Sequence, residues 1–188
     1  MATRLTPSDL KIYHAMKSAG VLEHVDGREL NAPNGVVLVA CSDPYRRRDI
    51  IEHKEGVLLE CFAHRNIFPI MIPGGALRLL EHSPANRAGG SLHKDLLDMI
   101  ILGMKVLGTD LIELYVHGPC GCAAAAEINY LEEHDVLFRA KEYIKKKIAK
   151  ARVACYTHID RKYVDNKDEM NTYFMRRATY YPWRHNYF

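Results

Sequence analysis

The sequence predicts an α/β fold, a single domain with a mainly parallel central β-sheet flanked by helices, and three observations carry that expectation. Short apolar runs, "VVLVA", "IFPIMI", "LIELYV" and "RVACYTHI", alternate along the chain with stretches of helical spacing. Small apolar residues in unbroken succession, as in "VVLVA", suit strands covered on both faces, which is the parallel arrangement. Glycine or proline ends several of the runs, as short connections between packed elements require. A chain of 188 residues holds one sizeable core, so 1–188 is expected to form one domain, with 1–32 as an N-terminal helical arm and 168–188 as an aromatic and basic tail.

In order along the chain, Ser8 is placed to cap a helix through "DLKIYHAMKSA", with Gly20 as its stop. "VVLVA" is expected as a strand ending at Cys41, and "VLLECF" and "IFPIMI" as two further strands. "SLHKDLLDMIILGMKVLG" carries the longest helical pattern: Ser91 is the natural cap, Leu92, Leu96, Met99, Ile100, Gly103 and Leu107 recur at helical spacing, and Gly108 closes it. "LIELYV" reads as a strand, "AAAAEINYLEEHDVLFRAKEYIKKKIAK" as one helix with lysines near its C-terminal end, and "RVACYTHI" as a last strand. The tail "MNTYFMRRATYYPWRHNYF" has no clean periodicity, and its density of rings predicts docking against a partner subunit.

Composition narrows the functional classes. The 48% apolar and 26% charged residues are those of a soluble globular protein, and no apolar run is long enough to cross a bilayer. The N-terminal residues lack the basic-then-apolar order of a secretory signal, which gives a cytoplasmic expectation. Five cysteines in such a chain point to buried, metal-bound or reactive thiols rather than a disulfide framework. A net charge of +3 is too mild to demand a nucleic acid, and "YRRR", "KKK" and the tail are scattered basic runs of the kind solvated faces carry, so neither nucleic acid nor membrane is expected as a partner.

The chemistry concentrates in two stretches. One strand ends in "ACSD" and another in "YVHGPCGC", and ligands of open parallel sheets gather at the carboxyl ends of strands. Cys41, Asp43, His117 and Cys120 are therefore candidates to converge. Two thiolates and an imidazole suit zinc, with a carboxylate or water as the fourth ligand. The opposing reading is that a cysteine on a strand is a small buried apolar residue and a histidine in a glycine turn a surface one. Residue types and spacing alone leave both readings standing. Cys122 reads as packing for the helix that follows, although C-x-C also offers a second thiol. The remaining histidines read as surface or packing residues, with His82 and His93 placed to line a site mouth.

"CSD" after a buried strand, a serine-led helix ending in "LG", then a strand and "H-G-P-C-G" together resemble the β-class carbonic anhydrases over about residues 35–125. The resemblance implies a homodimer or a multiple of dimers, and zinc on Cys41, His117 and Cys120. The implied activity is that of a lyase: reversible hydration of carbon dioxide to bicarbonate by a zinc-bound hydroxide. Asp43 matches the family's aspartate. The family pattern C-x-D-x-R is broken, because Tyr45 stands where the arginine belongs, and Arg46, Arg47 and Arg48 are out of register. Tyr45 brings no positive charge and no bidentate fork. The expectation is that Asp43 closes the zinc site as a fourth ligand and that hydration is weak. Gly75, in "IPGGA", and Gly121 are the expected substrate-binding positions. Two alternatives stand beside this: a non-catalytic family member that uses zinc as a structural pin, and a lyase or hydrolase of another small electrophile such as a carbon–sulfur heterocumulene.

Overall fold

The computed structural model describes residues 5–24, 27–86, 92–164 and 170–187. Helix α1 (Pro7–Ser18) opens the chain, and Thr6 rather than Ser8 caps it: the Thr6 hydroxyl accepts from the Asp9 N–H and the Asp9 carboxylate accepts from the Thr6 N–H. Pro7 then occupies the first helical position, where its missing N–H costs nothing. The predicted first strand forms as β1 (Val36–Cys41), buried at every position. "VLLECF" is not a strand. It is the second half of α2 (Arg47–Phe62), whose buried Ile50, Lys54 and Leu58 are spaced four apart, while Leu59 is exposed and Ala63 ends the helix in the left-handed region. A short apolar run has no period of its own, so the face it buries is decided by what lies before it.

Strand β2 (Ile67–Ile72) follows with Pro69 exposed within it, tolerated because β2 lies at the sheet edge. Helix α3 (His93–Leu107) ends at Gly108 in the left-handed conformation, as the sequence predicts; the proposed cap Ser91 lies outside the described residues. Strand β3 (Leu111–Gly118) is buried throughout. The long helix expected after it is two: α4 (Gly121–Ala125) and α5 (Tyr130–Lys147). Glu127 between them has a positive φ of 56°, and Asn129 starts α5 afresh by a reciprocal capping box with Glu132. Strand β4 (Arg152–Asp160) precedes β5 (Met170–Met175) and α6 (Arg177–Tyr187).

The sheet order is β2-β1-β3-β4-β5, with β5 antiparallel to β4 and every other pair parallel. Two buried clusters lie on its two faces. The larger takes in Leu96 and Ile100 of α3 and Phe138 and Ile144 of α5; the smaller takes in Ile50 and Leu58 of α2. The tail docks on its own chain: Tyr173, Met175 and Tyr180 are buried, the Tyr180 hydroxyl donates to Asp135 at 2.7 Å, and the Tyr180 ring stacks on Phe138. The arm does likewise, the Tyr130 N–H donating to Asp9 at 3.0 Å. No helix among the described residues is long and apolar enough to cross a membrane.

Candidate metal centre

From β1 the chain runs outward to β2 and then returns to place β3 on the other flank of β1. The carboxyl ends of β1 and β3 therefore form the switch point at which open α/β sheets bind ligands. Cys41 is the last residue of β1, and its Sγ accepts a hydrogen bond from the Gly74 N–H at 3.2 Å. His117 stands near the end of β3, and Cys120 precedes α4 after the Gly118–Pro119 turn. Gly75 matters to this geometry: with φ at 47°, any Cβ there would sit 2.3 Å from the Ala40 carbonyl carbon and 2.5 Å from the Cys41 nitrogen. Only glycine lets this loop lie against the end of β1.

Among the described residues, Cys41, His117 and Cys120 form a buried group whose sulfur and ring-nitrogen ligand atoms all lie within 4.8 Å of one another. A tetrahedral zinc holds two thiolates and an imidazole with ligand atoms about 3.5–3.8 Å apart, so a shift on the order of 1 Å brings these three onto one ion. His117 is 1% exposed, and among the described residues neither of its ring nitrogens has a hydrogen-bond partner. A buried imidazole with two unsatisfied nitrogens is unfavourable on its own, and a metal is a partner that one of them lacks. The two thiols shift in opposite directions. A hydrogen bond from Cys120 holds the Cys41 thiol down to about 4, opposed by burial and helped by His117, while the same bond and burial push the Cys120 thiol up. Cys41 is thus the more readily ionised thiol of the two, and Cys120 the one that gives up its proton less readily to a metal.

Asp43 lies outside that converging group. Its Oδ1 accepts from the Tyr45 N–H at 2.9 Å and faces an Arg46 guanidinium nitrogen at 3.5 Å. One expectation is corrected here, the register of Arg46. The Tyr45 side chain is 67% exposed and makes no hydrogen bond to Asp43; only its backbone does. Arg46 is not out of register, because residues 43–46 form a turn, with the Arg46 and Arg47 N–H groups donating to the Asp43 carbonyl. A turn folds positions three apart onto one side, so the charge expected to be missing is present one residue later. Arg46 is buried and also donates to Asp160 of β4 at 2.9 Å. A Cβ at Gly121 would meet nothing within 4 Å. His82 and His93 line a cavity of about 570 Å³ with Arg139, Tyr143 and Lys147, and none of the three converging residues lines it. Cys122 is half-buried beside the main core, its sulfur close to Gly74.

Three residues near this site, Asp160, Glu133 and His158, were given no role there by the sequence reading. Arg46 and Asp160 meet only through tertiary structure. Glu133 is buried on α5, its carboxyl pushed well above the usual range by burial and then by Asp9 and Cys41. His158 pairs with His117 in the β3–β4 register. Strand alternation in "RVACYTHID" was a signal for His158, since it puts residue 158 on the same face as Tyr156 and Asp160. No protein-family model matches the sequence, and neither the curated proteins nor the solved structures contain a match. The fold and site therefore define an α/β protein with a buried Cys-His-Cys group that could hold a metal ion.

Proposed function

We propose that this chain is a zinc protein with carbonic-anhydrase-type chemistry, hydrating carbon dioxide reversibly at Cys41, His117 and Cys120. One observation carries the reading: two sulfurs and an otherwise unpartnered imidazole converge at the switch point of a parallel sheet. Zinc held by these residues would supply an acidified water as the nucleophile, the chemistry that addition to carbon dioxide requires. The protein's own residues do the rest. Gly74 steadies the Cys41 thiolate through its N–H, which fixes where that ligand points. Arg46 and the Tyr45 N–H engage Oδ1 of Asp43, which would bias the carboxylate toward orienting beside a bound ion rather than ligating it. Asp160 in turn anchors Arg46. This favours a working hydratase, with Asp43 as an orienting group, over a zinc closed by four protein ligands. Gly75 serves this site by letting the backbone approach the end of β1 closely.

Elemental analysis and stopped-flow hydration on the same purified sample test the proposal. One zinc per chain together with hydration that disappears in Cys120→Ala is the expected result. Stoichiometric zinc with no hydration above the uncatalysed rate leaves only a structural ion and refutes the activity.

A further inference from the structure

Across the β3–β4 pair, His158 stands directly opposite His117 in parallel register. Both rings project from the sheet on the α2 side. Their neighbours point the other way: the Thr157 hydroxyl meets Tyr130 of α5, and a Cβ at Gly118 would meet Tyr130 and Ile159. Each histidine is 1% exposed. His158 Nδ1 lies 2.8 Å from the Thr172 hydroxyl on β5, and its Nε2 has no hydrogen-bond partner. Two adjacent buried imidazoles therefore carry three unsatisfied nitrogens between them. A metal on His117 accounts for one. The ring nitrogen of His117 that does not bind the ion and Nε2 of His158 are left, and they are complementary.

We propose that His158 is a positioning residue of the metal centre: its Nε2 accepts a hydrogen bond from the non-ligating N–H of His117, directly or through one buried water, and so fixes the tautomer and ring plane of that ligand. Thr172 sets the direction of this relay. With His158 Nδ1–H donating to the Thr172 hydroxyl, Nε2 is left as the acceptor. A metal-bound histidine whose far nitrogen is held by a partner is both better oriented and more basic, and loss of such a partner typically costs ten- to a hundredfold in metal affinity.

The inference rests on the metal reading, and cobalt(II) separates the two. Affinity is measured by chelator competition on the full chain and its variants. The metal-free melting temperature and the imidazole N–H resonances of the zinc-loaded protein are recorded alongside. His158→Leu is expected to bind cobalt at least tenfold more weakly and to lose the slowly exchanging N–H of His117, whereas His158→Gln, which keeps an acceptor, recovers most of both. Binding by His158→Leu within twofold of the parent protein overturns the proposal. So does a loss that His158→Gln fails to recover and that follows the metal-free melting temperature. Should His158→Leu fail to fold, Thr172→Val decides: at least threefold weaker binding supports the relay, and unchanged binding refutes it. A parent chain that takes up no cobalt refutes the metal reading, and the positioning role falls with it.

Discussion

Arg46 lies three residues after Asp43 and one later than the arginine of the C-x-D-x-R pattern, and the turn at 43–46 closes that gap. Arg46→Met is expected to lower carbon dioxide hydration at least about tenfold with zinc content unchanged, because the freed carboxylate then competes for the metal. Tyr45→Phe removes only an exposed hydroxyl and should stay within about twofold of the parent; stopped-flow hydration on both variants checks the contrast. Binding a metal to the thiol pair predicts a pH dependence. Cys120 is pushed up by its bond to Cys41 and by burial, so it holds its proton at neutral pH until a metal displaces it. Cobalt affinity measured by competition at pH 6, 7 and 8 should therefore weaken by at least about tenfold for each unit of acidification.

At the scale of elements, α2 owes its place to a buried ion pair as much as to its apolar residues. Lys54 donates to Glu113 of β3 at 2.6 Å, with both side chains at most 2% exposed, and the Tyr115 and Tyr156 hydroxyls donate to the same carboxylate. Lys54→Met strands that carboxylate and is expected to destabilise the protein by about 3–5 kcal/mol. A urea titration showing less than about 1 kcal/mol would mean that the tyrosines satisfy Glu113 unaided. The same helix marks a limit of reading elements from sequence. "VLLECF" looked like a strand because the run is apolar, yet of its residues Leu58 alone is fully buried. The break at Glu127 was likewise hidden inside a run of good helix formers, although Asn129 and Glu132, three apart, spelled out the capping box.

For the molecule as a whole, the buried imidazoles should make stability fall with acidification, against an opposing contribution from the raised Glu133 carboxyl. His134 is buried, with Nδ1 against the Tyr130 carbonyl at 2.6 Å, and burial holds it down to about 4 from an ordinary 6.5. Between those values the unfolded chain takes up a proton that the folded chain refuses. The advantage is therefore complete above pH 6.5 and is lost as pH falls toward 4, roughly 3 kcal/mol for a shift of this size. His158 acts in the same direction. Urea unfolding of the metal-free protein at pH 7.5 and 4.5 measures it, and equal stability at the two pH values contradicts the burial of these rings.

By itself the sequence determined the fold class, most of the strands, and the two stretches from which the candidate ligands come, because period, apolar runs and glycine stops are local signals read within about ten residues. It also determined which residue types were available to a soft divalent cation. Tertiary structure alone decided that Cys41, His117 and Cys120 converge, that Arg46 reaches both Asp43 and Asp160, that His158 stands beside His117, and that the aromatic tail folds back on its own chain. These facts depend on strand order and register. No short window of sequence encodes them, since the packing of the whole sheet sets which distant residues face one another.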